Sequence, residues 1–203
     1  MKITTTPSSD RVQPLRKLIH LGGASFGMLY LVASRQTVLL VTFTALVLTA
    51  AVEWGRQRWP ALQRLVEGFL GSALRRGEES QPTAGLWSML GVFVTLLAFE
   101  RRLAIPAILY AQLGDPAAEI VGRHRGRHRL PNGKSLEGSL ACLAVSLTVG
   151  LACCLALPLS PGVAVLGALV ATLAEAMPLP VGDNLTMAPL AGLVMALAVL
   201  MVG

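Results

Sequence analysis

Charge is scarce in this sequence. Only 14% of its 203 residues are Asp, Glu, Lys or Arg, while 54% are hydrophobic. A soluble domain carries about 25% charged residues. The deficit suits a chain embedded in lipid, where each charge at the bilayer centre costs roughly 2.5–3.5 kcal/mol. Period-two alternation of β-branched residues is also missing, which argues against a membrane barrel and for spanning helices. Cysteine is sparse. Cys142, Cys153 and Cys154 fall in one apolar run, with neither a CxxC pair nor a Cys/His metal spacing. They are read as inert packing residues. The basic N-terminal region is long and the first apolar run has no clear small-x-small cleavage site before the next span, so it is expected to stay as a helix. The last run has no lysine, which excludes retinal attachment there.

What is present is a series of long apolar runs. They predict spans over about residues 17–34, 37–54, 84–99, 103–113, 138–157, 162–176 and 185–202. The fourth run, Leu103 to Leu113, contains Pro106 and is short of the ~20 residues of an ideal span. It is read as a span that is kinked or continued by Ala117–Val121. The expectation is an all-α polytopic membrane protein with about seven transmembrane helices. Residues 1–14 form a flexible polar tail, and 15–203 a single membrane domain. Residues 55–82 read either as an amphipathic interfacial helix or as a solvated connector.

Orientation follows from the cations. With alternating crossings, Arg35, Arg101 and Arg102 fall on one side and the other 14 of the 17 Lys and Arg on the opposite side. The positive-inside rule puts that richer side, with the N-terminus, in the cytoplasm. For a bacterial chain the membrane would be the inner one.

The most polar passage is Gly114 to Gly138. It holds five cations, three acids, two of the three histidines and five glycines. Asp115 precedes Pro116, a pair that suits a helix start with Asp115 as the cap. Glu119 lies one turn further on and needs a metal ion or an arginine as partner. Gly122 and Gly126 continue that line and would admit a phosphate or a neighbouring helix. Arg123, Arg125, Arg127 and Arg129 alternate with His124 and His128. The run reads as a topology signal and anionic-lipid contact, or as a triphosphate clamp, with the clamp slightly preferred. A glycine between the histidines and the lack of a third ligand argue against zinc. Ser135 can cap the next helix, leaving Lys134 beside a phosphate-attracting N-terminus. Glu137 in that first turn satisfies the helix dipole or serves the site.

A second polar island spans Glu175 to Asn184. Glu175 has no cation near it in sequence, so it either binds a cation or is protonated. Asp183 and Asn184 form a turn and cap, or contribute to an oxygen-rich Mg²⁺ site with Asp115 and Glu175. Two charge-free spans separate this island from Gly114–Gly138, so both face one side. Near the N-terminus, Arg16, Lys17 and His20 read as anchoring cations and a core histidine. Alternatively, they are phosphate contacts and a proton-handling group.

RKLIH, GDPAAEIVGRHRG with NGKSLEGSLA, and a late Glu before DNLT resemble the CTP-dependent lipid-alcohol kinases: dolichol kinase, phytol kinase and yeast-type diacylglycerol kinase. The related CDP-diacylglycerol synthases order their motifs similarly. The resemblance covers most of Arg16 to Pro189. Arg125 stands where an aromatic residue is frequent, and the proline of DNLTMAP falls one residue late. The resemblance implies transfer of the γ-phosphoryl group of CTP to a lipid hydroxyl, with Mg²⁺. It implies a site core of Asp115, Lys134, Glu137, Glu175 and Asp183. In that frame Asp115 and Asp183, with Glu175, hold the metal, and Glu175 or His20 takes the hydroxyl proton. Lys134, Arg123 and Arg127 neutralise the triphosphate, helped by Ser135, Arg16 and Lys17, while Gly114, Gly122 and Gly126 allow close approach. A prenol such as phytol, farnesol or a polyprenol is the expected acceptor, with diacylglycerol as an alternative. The partners are then CTP, the lipid alcohol and membrane lipids; no nucleic acid is called for, and a homo-oligomer is compatible. The competing readings are a CDP-lipid synthase and, from another class, a transporter. A transporter would put its charges near the bilayer midplane rather than at one surface.

Overall fold

Long apolar runs broken by short polar links leave the backbone one economical way to satisfy its own N–H and C=O groups, and every element among the described residues is a helix. The computed structural model describes residues 14–70, 82–178 and 182–202, with side chains over 22–66, 82–178 and 182–201. The expected polar tail lies outside the described residues apart from Pro14, which opens the first helix. The order is α1 (Pro14–Val32), α2 (Arg35–Arg58), α3 (Pro60–Leu70), α4 (Ala84–Ala98), α5 (Arg101–Leu109), a π-helical turn (Tyr110–Gly114), α6 (Asp115–Arg125), α7 (Leu136–Ala156), α8 (Pro161–Ala176) and α9 (Asp183–Val202). Every run expected to span is helical. By length and composition α2, α7 and α9 can cross a membrane, and α4, α8 and the Gly22–Val32 part of α1 are shorter apolar helices. The expectation of about seven crossings is therefore met in part. Residues such as Leu40, Phe43 and Leu48 on α2 and Leu155 on α7 are exposed, as a lipid-facing surface requires.

One expectation is met in one of its forms and another is corrected. Leu103 to Leu113 is continued through Ala117–Val121. It belongs to an unbroken helical run from Arg101 to Arg125, and every residue from Leu103 to Leu109 is buried. α1, α4, α7, α8 and α9 all pack against it, so its apolar character serves the bundle's interior. Asp115, in turn, does not cap a helix start. Gly114 and Asp115 are both helical, and the Asp115 N–H bonds the carbonyl of Ala111. Pro116 brings no N–H and would crowd the carbonyl four residues back in a regular α-helix. The wider π turn directly before it accommodates the proline without ending the helix.

Small residues set the helix spacing. α8 buries Ala164, Gly167, Ala168, Ala171 and Ala174 along one stripe, and its neighbours α7 and α9 pack there. Such stripes let helices approach closely where lipid offers no hydrophobic drive for association. Tyr110 is fully buried at the centre, and its hydroxyl donates to the Ala164 carbonyl at 3.0 Å.

The two ends of the bundle differ. At one, Arg35 donates to the Leu97 carbonyl at 2.8 Å and Arg101 to the Ala33 carbonyl at 2.7 Å. Arg102 pairs with Glu100 at 2.6 Å. At the other, buried Glu53 pairs with Arg56 and accepts from the Thr83 N–H and hydroxyl, both at 3.2 Å, tying the end of α2 to the start of α4. The expected helix over 55–82 is divided between the last turn of α2 and α3, and residues 71–81 lie outside the described residues.

Candidate active site

The site lies where α6 ends, α7 begins, α8 ends and α9 begins. Between α6 and α7 the chain makes a tight loop. The Leu130 N–H bonds the Lys134 carbonyl at 2.8 Å, and the Gly133 N–H bonds the Leu130 carbonyl at 2.9 Å. Gly133 has φ +85°, a conformation that glycine adopts without penalty. Asn132 holds this loop in place. Its side-chain amide donates to the Ala176 carbonyl at the end of α8 at 2.7 Å, and its side-chain oxygen accepts from the Lys134 N–H at 3.2 Å. Ser135 caps α7, accepting from the Gly138 N–H at 3.1 Å.

This arrangement sends Lys134 across the gap to α8 and α9. Its ammonium lies 2.5 Å from Asp183 Oδ2 and 3.1 Å from Glu175 Oε1, and also donates to the Glu175 carbonyl. Burial works against the charge of Lys134, but Asp183 and Glu175 more than offset it and hold its pKa above the ordinary 10.5. Glu175 is buried, and its other oxygen accepts from the Ser139 hydroxyl at 3.0 Å. Asp183 opens α9, and its Oδ1 accepts from the Asn184 N–H at 2.8 Å. Asp115 completes the group: one oxygen each of Asp115, Glu175 and Asp183 lie within 4.8 Å of one another.

Beside these acids is a cavity of about 220 Å³ lined by Asp115, Gly122, Arg123, Lys134, Glu175 and Asp183, among others. Glu119 finds its partner in Arg123, at 2.6 Å one turn on. Arg123 also borders a second, more open hollow of about 660 Å³ with Arg125, Arg127, His128 and Glu137. Glu137 faces that hollow, with His128 Nδ1 at 2.7 Å and the His128 N–H at 3.2 Å.

The fold thus gathers Asp115, Lys134, Glu175, Asp183, Arg123, Gly122 and Ser135 around one cavity. Glu137, Arg127 and Gly126 are one step removed, at the adjoining hollow. Gly114 is elsewhere: it is buried, and a Cβ there would stand 2.9 Å from Cys142 Sγ and 3.0 Å from Ser146 Oγ. It spaces the π turn from α7. A Cβ at Gly122 or Gly126 would likewise crowd Ser135, so close approach to the start of α7 is one reason for glycine at both. Arg16, Lys17 and His20 fall in the first turns of α1, and their side chains lie outside the described residues. Sequence reasoning missed Asn132 and Ser139. Asn132 carries only a turn signal, and Ser139 is one of several small polar residues in an apolar helix.

No family model and no solved structure matches the chain. Curated proteins do. The CTP-dependent diacylglycerol kinase 1 of Schizosaccharomyces pombe is 31% identical over 101 residues, 49% of this chain and 44% of that protein. This chain is a distant homologue of the CTP-dependent diacylglycerol kinases. The kinase of the same name from Eremothecium gossypii is 31% identical over 111 residues, 54% of this chain and 34% of its own. Uncharacterized protein RP860 of Rickettsia prowazekii is 29% identical over 139 residues, 67% and 68% of the two chains. The chain spans less than half the length of the diacylglycerol kinases it matches.

Proposed function

We propose that this protein transfers the γ-phosphoryl group of CTP to the hydroxyl of a membrane lipid alcohol. The observation that carries the reading is the meeting of Asp115, Glu175 and Asp183 with Lys134 beside a cavity at one end of an apolar bundle. Acids that hold a metal and cations that meet phosphate stand there next to helices able to flank a lipid.

The lipid oxygen bonds to the γ-phosphorus, the bond from that phosphorus to the β–γ bridging oxygen breaks, CDP leaves, and the hydroxyl proton passes to a base. Such a reaction asks a protein for positioning and charge stabilisation. Lys134 and Arg123 supply positive charge. Asn132 fixes the loop that carries Lys134, and Ser139 fixes the Glu175 carboxylate. Glu175 and His20 are the candidate bases. The donor set fits Mg²⁺, a hard cation that takes oxygen ligands and keeps part of its water shell. Asp115, Glu175 and Asp183 would hold it, and it would neutralise charge on the nucleotide phosphates.

Diacylglycerol is the first acceptor to test, being the lipid in the relatives' names, with the prenols next. The distribution of Lys and Arg supports a site that faces the cytoplasm, and for a bacterial chain the membrane would be the inner one. Purified protein with Mg²⁺, a lipid-alcohol panel and CTP labelled on the γ-phosphate provides the test. Label on the lipid is the expected product. Cytidine on the lipid would instead establish a CDP-lipid synthase.

A further inference from the structure

The acidic group already contains a cation of the chain's own. An ammonium has three N–H donors; Lys134 donates to the Glu175 carbonyl and to Asp183 Oδ2, and is ion-paired with Glu175 Oε1 at 3.1 Å. The ammonium is thus committed to the acids rather than turned to a phosphate. Yet the phosphate-facing role of Lys134 and the metal-holding role of Glu175 and Asp183 both belong to the function proposed above. The two roles conflict in this geometry. A divalent ion bound by these carboxylates would lie about 2.1 Å from their oxygens. Nζ already lies 3.1 Å and 2.5 Å from the two of them. Two cations cannot share that space, because their repulsion at such separations is steep.

We infer that Lys134 is an exchangeable counter-ion for the acidic site: its ammonium leaves Glu175 and Asp183 when a divalent cation binds, and is thereby released toward the phosphate cavity. This rests on reading Asp115, Glu175 and Asp183 as a divalent-cation site. Two features make the exchange feasible. The Lys134 side chain is 29% exposed, so it can swing outward. The cavity of about 220 Å³ on which it borders leads from the acids to Arg123. The exchange also has a consequence for binding order. Without nucleotide, the released ammonium has no partner, and metal binds weakly. With a triphosphate present, the ammonium finds a new anion, so metal and nucleotide each favour the other's binding, as linkage requires.

The test uses full-length protein in detergent and Mn²⁺ as a paramagnetic probe, without CTP or lipid. Electron paramagnetic resonance should show Mn²⁺ binding to Lys134→Met at least about tenfold tighter than to wild type, a difference of about 1.4 kcal/mol. A second measurement needs no variant. Acylation of Lys134 in the wild-type protein, read by mass spectrometry, should speed up several-fold on saturation with Mn²⁺. Equal Mn²⁺ affinities, no Mn²⁺ binding to either protein, or an unchanged Lys134 labelling rate would each overturn the exchange. Because neither measurement contains CTP or a lipid, failure of the kinase assay leaves this result standing, and the reverse also holds.

Discussion

Lys134 and the acids around it define what single substitutions should do. Asp115→Asn and Asp183→Asn each remove a charge while keeping the side-chain shape. Each should lower CTP-dependent lipid phosphorylation by at least about a hundredfold, the scale seen when one transition-state contact is removed. Thermal unfolding in detergent should show that the variants remain folded. Ser139→Ala is gentler. It takes one hydrogen bond from a buried carboxylate, worth about 1.5–3 kcal/mol, so kcat should fall by about tenfold to a hundredfold with the acceptor KM little changed. If Ser139→Ala instead raised only KM, the serine would be a packing residue and not an orienting one. The raised pKa of Lys134 gives a sign for pH. A cation held above its unfolded value stabilises the fold fully below the ordinary 10.5, and that contribution fades as pH climbs through the raised value. The gap in melting temperature between wild type and Lys134→Met should therefore stay level from about pH 7 to 9 and narrow only in stronger alkali. A gap that closed near neutrality would mean that Lys134 loses its charge there.

At the scale of elements, the seam between α6 and α7 decides where the site can form. A Cβ at Gly138 would come within 2.7 Å of the Ala118 carbonyl and 3.3 Å of Gly122 Cα, both of them backbone neighbours that cannot step aside. Gly138→Val should force the start of α7 away from α6, lower the unfolding temperature by several degrees, and reduce lipid phosphorylation. Overpacking of this kind typically costs about 1–3 kcal/mol. Gly22→Ala is the control: nothing lies within 4 Å of a Cβ there, so both readouts should stay at wild-type values. An equal loss in both variants would sink the packing argument. The seam also marks how far a sequence can be read. Hydrophobic runs located the helices, because burying apolar side chains along a helix leaves a periodic trace. The glycines at 122 and 126 were legible as sites of close approach, but one sequence does not say whether the visitor is a phosphate or a helix. Here Ser135 stands beside both, and at Gly126 the Gly122 carbonyl is nearer still. Asp115–Pro116 read as a helix start because that pair often opens one. The π turn that carries the chain through the proline is an alternative to a helix start that the same Asp–Pro pair does not distinguish in sequence. Lys134 was legible as a cation at a helix start. Glu175 and Asp183, 41 and 49 residues away, were legible as acids on the same side and in the same site, but their direct pairing with Lys134 was not, since it is made only when α8 and α9 fold back beside α7.

Over the whole molecule, the site depends on the chain returning twice to the same end of the bundle. α7 carries it away from Lys134 and α8 brings it back to Glu175; α9 then starts with Asp183. The cations at the far end are each bonded there: Arg35 and Arg101 tie neighbouring helices together, and Arg102 pairs with Glu100 at the start of its own helix. The arginines of the 123–129 run stand at the site end, and the positive-inside rule therefore predicts that this end faces the cytoplasm. Labelling checks the prediction directly. With Cys142, Cys153 and Cys154 replaced by serine, one new cysteine is placed at each end. His124→Cys puts it at an exposed position beside the site, and Gly162→Cys puts it in the first turn of α8, where the nearest atom to a new Cβ is 3.7 Å away. An impermeant maleimide added to intact spheroplasts should label the cysteine at 162 and spare the one at 124. In inverted vesicles the pattern should reverse. Labelling of both from one side would mean that α7 and α8 form a re-entrant hairpin, and the two-crossing topology would fall. A pattern reversed at both positions would keep the two crossings but put the site outside the cytoplasm. CTP, a cytosolic nucleotide, could not then be its donor.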